Sequence, residues 1–182
     1  IDPKQVDLAA FHKIPHLLMP PIKDTRGAVN TLKWLIKEME KRYRSMSRFN
    51  SRNLEGFNEA VTALDSNQIS EHETRVRDLE ANPQTTLESY YFQPQPYIVA
   101  VIEEFADLMS VDRTGVEQAV VRLAQMARAS GIHLVVAMQS PRREVLTGLI
   151  KTNFPGRISF KVASKVDSSI ILDQRGAERL LS

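Results

Sequence analysis

Hydrophobic residues recur at alternating steps of three and four over residues 29–46, and this spacing predicts a long amphipathic helix. The predicted apolar stripe consists of Val29, Leu32, Ile36, Met39, Tyr43 and Met46. Asp24 is a suitable N-cap for this helix, because its side chain can accept a hydrogen bond from an early backbone N–H. On the solvent side the sequence predicts two i,i+4 ion pairs, Glu38/Arg42 and Glu40/Arg44.

Short apolar runs alternate with helical segments in the second half of the chain. After a helix over 53–64, the pattern predicts a strand over 97–103, a helix over 116–128, a strand over 132–139, a short helix over 143–151, a strand over 157–162 and a helical tail from residue 167. Runs of Val, Ile and Leu that alternate with helices are typical of parallel strands buried on both faces. The predicted fold class is α/β with a doubly wound, mostly parallel sheet, and Ile1 is interpreted as the end of a further strand.

Residues 65–96 have a different character from the rest of the chain. They are polar, contain Pro83, Pro94 and Pro96, and have only a weak helical period. We expect a partly helical, mobile surface insertion within one domain that spans residues 1–182.

Composition places few limits on function. The 182 residues are 42% hydrophobic and 25% charged, which suits one globular domain with a proper core. The absence of cysteine excludes disulfides and thiolate metal sites and suits a reducing cytoplasm. A net charge of +2 does not by itself indicate nucleic-acid binding. No run reaches the roughly 18 apolar residues of a membrane helix.

Polar side chains follow the two longest predicted strands. Glu103 and Glu104 end the first, and Gln139 ends the second. The carboxyl ends of parallel strands form one edge of a sheet, and acids there are suited to a metal-bound nucleotide. Successive strand residues point to opposite faces, so the two acids need different roles. We expect Glu103 to hold Mg²⁺ through water and Glu104 to act on the attacking water, with Gln139 sensing phosphate or orienting water.

A structural interpretation of the same residues stays open. A pair of acids after a strand can cap the next helix and face solvent, and Gln139 can be a loop amide bonded to local backbone. Four basic residues after these strands could bind the phosphates of DNA or of a neighbouring subunit's ATP, or form a solvated face: Arg142, Arg143, Lys151 and Arg157. The phosphate-binding loop G-x-x-x-x-G-K-[ST] is missing, because none of the seven glycines precedes a lysine.

A series of short stretches occurs in one order along nearly the whole chain except 65–96. They are IDPK at 1–4, IPHLL at 14–18, EMEKRY at 38–43, RNLEGFN at 52–58, VIEEFADLM at 101–109, RLAQ at 122–125, ARASGIHL at 127–134, TGLIK at 147–151, RISF at 157–160, ILDQ at 171–174 and GAE at 176–178. Together they resemble the motor domain of the FtsK/SpoIIIE family of double-stranded DNA translocases.

The resemblance implies a RecA-like P-loop core, Mg-ATP as fuel and a hexameric ring around duplex DNA. It also implies a parent protein that acts in chromosome segregation at division and is anchored in the inner membrane, with this segment in the cytoplasm. In the family's pattern the acidic strand is the Walker B element. Glu104 then falls on the catalytic glutamate, Gln139 on the sensor position and Arg157 on a position that could serve the neighbouring subunit.

The chain departs from the family pattern in three respects. The Walker A loop precedes Ile1 in that pattern and the last motor strand follows Ser182, so we expect a core incomplete at both ends that binds ATP weakly and sustains no hydrolysis alone. Glu103 stands where the pattern usually has Asp, and Ser169 where it has a basic residue. The alternatives are a protein-secretion ATPase of similar fold and a non-catalytic, motor-like subunit.

Overall fold

A computed structural model describes residues 1–5, 7–82 and 88–181. Its elements are, in order, a 3₁₀ turn (Ala9–Phe11), α1 (Thr25–Arg48), α2 (Leu54–Thr62), α3 (Ser66–Ala81), β1 (Ile98–Ile102), α4 (Phe105–Val111), α5 (Arg113–Met126), β2 (Ile132–Val136), α6 (Gly148–Asn153), α7 (Lys165–Leu172) and a second 3₁₀ turn (Ala177–Arg179). No helix in these ranges is long and apolar enough to cross a membrane.

Helix α1 confirms the prediction from the apolar period. Asp24 is extended and its carboxylate accepts a hydrogen bond from Gly27 N at 2.7 Å, which starts the helix at Thr25. The predicted stripe faces the protein: Leu32, Met39 and Met46 are buried, and the other three residues pack against the core at half burial.

Strands β1 and β2 are parallel neighbours, in register from Ile98 beside Ile132 to Ile102 beside Val136. Helices α4 and α5 form the crossover between them. Ile1 lies along the other edge of β1, where its amino group donates to Val101 O at 2.7 Å and its carbonyl accepts from Glu103 N at 3.0 Å. These bonds agree with its interpretation as the end of a strand.

Helices cover one face of this sheet. The main core lies between that face and helices α1, α4 and α5 and includes Leu32, Ile102, Phe105, Leu108, Val116, Val120 and Ile132. On the other face Val99 is 58% and Val135 50% exposed, beside an apolar groove of about 320 Å³ that β1 forms with residues 8–22. The expected burial of both faces is therefore wrong for the described residues, in which helices α1, α4 and α5 pack on one face and leave Val99 and Val135 exposed on the other.

Two sequence predictions are corrected after β2. Residues 157–162 form no strand with any described residue, and Ile158 and Phe160 are each 86% exposed. A strand needs a paired neighbour, which the alternating pattern cannot supply by itself. The short helix begins at Gly148 because Thr147 caps it, accepting from Ile150 N at 3.2 Å. Between β1 and β2, the sequence pattern does not predict helix α4.

Residues 65–96 contain the regular helix α3, none of whose residues is buried. The returning residues 88–96 pack more closely: Tyr90 is buried, and Gln95 and Asn58 exchange two hydrogen bonds, at 2.8 and 2.9 Å. Residues 83–87 of the expected insertion lie outside the described residues. The assignment of this stretch as an insertion stays a prediction.

A buried ion pair connects α1 to the residues just before β1 and just before β2. Arg42 Nε donates to Glu38 Oε1 at 2.8 Å, and Arg42 Nη1 donates to the carbonyls of Pro96 and Ser130 at 2.9 and 3.0 Å. Tyr91 donates its hydroxyl to the other Glu38 oxygen at 2.8 Å, and burial and this bond raise the pKa of Tyr91 to about 12. The predicted i,i+4 pairing of Glu38 with Arg42 is confirmed. Its predicted place on the solvent side is wrong, because the carbonyls of Pro96 and Ser130 converge on this guanidinium in the interior.

The second predicted pair also differs. Glu40 binds Arg122 of α5, and Arg44 binds Glu88, both at 2.5 Å and both partly exposed. Glu40 and Arg44, which i,i+4 spacing predicts to pair within α1, therefore each pair with another segment. The spacing of residues in one helix cannot predict such partners.

Replacing Arg42 by methionine is expected to lower the free energy of unfolding by about 3–5 kcal/mol, because it leaves Glu38 as a buried unpaired charge. Urea denaturation of the purified protein measures this loss. Arg44→Met is the matched control on the same helix, and we expect it to cost at most about 1 kcal/mol because its ion pair is at the surface. Equal losses in the two variants would contradict the assignment.

His72 of α3 lies in an aromatic cluster with Phe49, Phe92 and Tyr90. Its ring centroid is 5.1 Å from that of Phe49 and 6.1 Å from that of Phe92, and Nδ1 is 2.9 Å from the Tyr90 hydroxyl. Burial lowers the pKa of His72, and Arg48 and Arg75 lower it further against the opposing effect of Glu71. The folded protein therefore disfavours the imidazolium.

This lowered pKa makes stability depend on pH. At a pH below about 6.5 the unfolded chain binds the His72 proton more readily than the folded chain, so stability is expected to fall as the pH decreases further. Denaturation of wild type and His72→Gln between about pH 7.5 and 5 measures this, and the variant should show a flatter pH dependence. Parallel curves would refute this role of His72.

Candidate functional site

The three polar residues predicted at the strand ends lie together. The backbone N–H of Gln139 donates to Glu104 Oε2 at 3.1 Å, and its side-chain Nε2 donates to Glu103 Oε1 at 3.3 Å. The parallel pairing of β1 and β2 puts their carboxyl ends level, which brings these loops into contact. Gln139 is thus in contact with both acids.

Glu104 is buried, with 5% of its surface exposed, and it is the N-cap of α4. Its Oε1 accepts from Ala106 N at 3.3 Å, and Lys4 Nζ lies 3.7 Å from its Oε2. The capping interpretation is therefore right about the local contact, but Glu104 does not face solvent. The cap holds the carboxylate in a fixed position at the sheet edge.

Glu103, the first residue after β1, is in a different environment from Glu104. Its Oε2 is buried and has no hydrogen-bond donor. Burial raises the pKa of Glu103, and a side-chain hydrogen bond with Asp7 and the charge of Asp7 raise it further, whereas the hydrogen bond from Gln139 and the charge of Lys4 lower it. A carboxylate that lacks a donor and lies beside a second carboxylate is suited to a cation.

Lys4 and Asp7 are site residues that sequence reasoning missed. The buried carboxylate of Asp2 folds the loop that carries them, accepting from Gln5 N at 2.8 Å and from Leu8 N at 3.0 Å. Val6, between them, lies outside the described residues. The available signal was the Asp2-Pro3 turn, because an Asp side chain before a turn often binds backbone N–H groups further along the chain.

The oxygen atoms at this edge fit a magnesium ion. Mg²⁺ prefers oxygen ligands and keeps several waters, so one or two carboxylates suffice to hold it. The described residues contain no cluster of three His, Cys, Asp or Glu side chains that could hold a metal alone. The unsatisfied Oε2 of Glu103, with Asp7 beside it, is the feature that fits a partly hydrated ion.

The predicted basic residues form a separate group from the acids. Lys151 and Arg157 both pair with Asp173, and Arg157 Nη1 donates to its Oδ2 at 2.6 Å and to Ile171 O at 3.0 Å. These bonds lower the pKa of Asp173. In this chain Arg157 therefore contacts neither Glu103 nor Glu104.

Arg142 and Arg143 lie in the segment before α6, and both are exposed. Arg143 and Lys151 line a groove of about 420 Å³ between α6 and α7, with Thr147 and Ser169. The serine found in place of a basic residue therefore lies on this cationic groove.

The sequence matches the FtsK/SpoIIIE family model over residues 1–143. The chain belongs to the FtsK/SpoIIIE family. Over its whole length it is 49% identical to the DNA translocase FtsK of Agrobacterium fabrum, 48% identical to that of Caulobacter vibrioides and 46% identical to that of Rickettsia typhi. It spans 21%, 22% and 25% of these relatives, so it corresponds to about a fifth to a quarter of their length.

Two solved structures share the fold of this FtsK/SpoIIIE chain. The pCW3 conjugation coupling protein TcpA, solved as a monomer with ATPγS, matches with a TM-score of 0.61 and 26% identity, over 86% of this chain and 39% of that one. The cytoplasmic domain of the type VII secretion ATPase EccC of Thermomonospora curvata matches with a TM-score of 0.53 and 18% identity, over 86% and 15%. The α/β fold is that of a RecA-like P-loop ATPase core.

Glu103→Gln is expected to stabilise the protein by about 1 kcal/mol at neutral pH, because it removes a charge whose buried oxygen lacks a donor. Thermal unfolding in the presence of a chelator measures this gain. Glu104→Gln is the matched control, and we expect no gain because both of its oxygens accept backbone N–H bonds. If a magnesium ion binds at Glu103, added Mg²⁺ will stabilise wild type more than Glu103→Gln; equal shifts would contradict this.

Proposed function

We propose that this chain is part of an ATP-driven double-stranded DNA translocase motor that acts in chromosome segregation and cell division. The observation that supports this most directly is the contact of Glu103, Glu104 and Gln139 at the carboxyl ends of β1 and β2. That edge is where P-loop ATPase folds bind nucleotide. The relatives named DNA translocase, which match over the whole chain, support DNA as the substrate.

Each residue of this edge has a distinct role in the proposal. Glu103 is the magnesium ligand, through water, and the ion when bound would neutralise charge on the phosphates. Glu104 orients and deprotonates the attacking water, since its carboxylate is buried and held by two backbone N–H groups. Gln139 contacts both acids and would report the presence of the γ-phosphate through them.

The basic residues complete the proposal. Arg157 is assigned to the ATP of a neighbouring subunit in a homo-hexameric ring, because its partners in this chain are Asp173 and Ile171 rather than the acids. Arg142, Arg143 and Lys151 are assigned to phosphates of DNA or nucleotide. We assign this segment to the cytoplasm and its parent protein to the inner membrane, as the family resemblance implies.

The likeness to EccC does not favour protein secretion over DNA translocation. At 18% identity it supports a shared fold alone, and ring motors of one fold act on different substrates.

Glu104→Gln in the full-length protein is expected to lower DNA-stimulated ATP turnover by about 100-fold or more, because an amide cannot accept the proton of the attacking water. Nucleotide binding should persist, since the substituted glutamine keeps an oxygen that can cap α4. A coupled phosphate-release assay with and without duplex DNA measures turnover. A wild-type rate that DNA leaves unchanged would contradict translocation.

Asp107→Asn is the matched control for this experiment. Asp107 lies in the first turn of the same helix, is partly exposed, and pairs with Lys4 at 3.9 Å. We expect a change of no more than about twofold, because a surface ion pair contributes less than about 1 kcal/mol. Equal losses in the two variants would indicate that the charge of the helix start, rather than the carboxylate of Glu104, matters for turnover.

A further inference from the structure

Asp173 joins the two basic segments that follow β2. Its Oδ1 pairs with Lys151 Nζ at the end of α6, and its Oδ2 accepts from Arg157 Nη1 at 2.6 Å. Both cationic side chains are about three-quarters buried, at 23% and 25% exposure, whereas Asp173 is half exposed. One carboxylate therefore holds two cations that belong to different segments of the chain.

The backbone conformation of Asp173 does not by itself call for aspartate, so the carboxylate is the feature to explain. Asp173 ends α7 in the left-handed conformation, with φ 58° and ψ 13°, and its N–H donates to Ser169 O at 3.1 Å. Glycine and asparagine suit this capping position best, because most side chains raise the energy of left-handed backbone. What aspartate adds over asparagine here is a charge, and both of its oxygens are used in ion pairs.

The bonds to Asp173 leave donors available on both cations. A guanidinium has five N–H donors, and only Nη1 of Arg157 has partners among the described residues. Lys151 retains N–H donors beyond the one directed at Asp173, and it lines the groove with Arg143 and Thr147. The triad Lys151, Asp173 and Arg157 carries two positive charges and one negative charge, and this excess of positive charge suits an anion.

We propose that Asp173 is a positioning residue that presents Arg157 and Lys151 as one preorganised pair to a phosphoryl oxyanion. The inference rests on the proposed function, which supplies this ligand as a phosphate of the DNA backbone or of a nucleotide held by a neighbouring subunit. Long basic side chains lose rotamer freedom when they bind. A carboxylate that holds them beforehand lowers the dissociation constant by about tenfold, because less of this freedom is lost on binding.

The direction in which Asp173→Asn changes the affinity for phosphate distinguishes two roles of Asp173: positioning the cations, or only weakening the site by its negative charge. Asparagine tolerates left-handed backbone, so α7 should keep its end, and the site loses its negative charge. If Asp173 only weakens an anion site by its charge, the variant will bind phosphates more tightly. If Asp173 positions the cations, the variant will bind about tenfold more weakly. Tighter or unchanged binding would overturn the proposal.

The measurement is equilibrium binding to the full-length protein at fixed ionic strength, with two probes in separate arms. One arm uses fluorescent duplex DNA without nucleotide, and the other uses a fluorescent ATP analogue without DNA. Weaker binding in the DNA arm alone assigns the backbone phosphate, and weaker binding in the nucleotide arm alone assigns the nucleotide phosphate. Either result, or both together, supports the proposal, and wild type that binds neither probe overturns it.

Two controls test whether Asp173→Asn changes phosphate binding by way of Lys151 and Arg157. Glu144→Gln removes an exposed carboxylate next to Arg143 without touching the triad, and we expect equal or slightly tighter binding. In a Lys151→Ala/Arg157→Ala background, Asp173→Asn should change binding by less than about twofold, because its partners are gone. A tenfold loss in that background would overturn the positioning role.

Asp173→Gly guards against a folding artefact, because glycine also accepts φ 58° and likewise lacks the carboxylate. It should weaken binding as Asp173→Asn does while the melting temperature stays close to that of wild type; normal binding by Asp173→Gly would overturn the proposal. The binding experiment tests the role of Asp173 independently of the proposed motor function. A wild type without DNA-stimulated ATP hydrolysis refutes the motor, whereas the binding arms still decide the role of Asp173.

Discussion

The guanidinium of Arg42 is the contact on which the candidate site depends. It donates to Pro96 O just before β1 and to Ser130 O just before β2, and Glu38 of the same helix balances its charge. Helix α1 thus fixes the starting points of both strands. Because the strands are parallel, in register and five residues long, a common start produces a common end. Glu104 and Gln139 meet at that end.

Glu103 and Glu104 are adjacent at the same edge of the sheet, but their different surroundings suit them to different chemical roles. Glu104 accepts hydrogen bonds from two backbone N–H groups, which hold its carboxylate in place. Glu103 has a buried oxygen without a donor beside Asp7, an arrangement that costs stability in the ligand-free protein. Sites of this kind occur where binding a cation relieves the cost, so the less favourably placed of the two acids is the better candidate for the metal.

Sequence patterns predict the features that depend on neighbouring residues or on the direction of parallel strands. The apolar period predicts α1, and the position of polar residues at the carboxyl ends of parallel strands predicts the contact of Gln139 with Glu103 and Glu104. Sequence spacing failed where a partner comes from elsewhere in the chain. Arg42 looked solvated because the carbonyls it binds lie 54 and 88 residues away. Lys4 and Asp7 reach the site only because the buried Asp2 folds their loop, which no periodicity records.

The separation of the acidic and basic groups bears on how a motor built from this chain would work. Hydrolysis of ATP needs cations near the γ-phosphate as well as the carboxylates that handle metal and water. Within one chain, Arg157 is bound to Asp173 and Ile171, and its contacts include none of the residues at the acidic edge. These contacts make Arg157 better suited to a phosphoryl group of another subunit than to one held at the acidic edge of its own chain. Catalysis in which Arg157 acts on another subunit would require two copies of the chain in contact, which is the condition that a closed ring satisfies for every site at once.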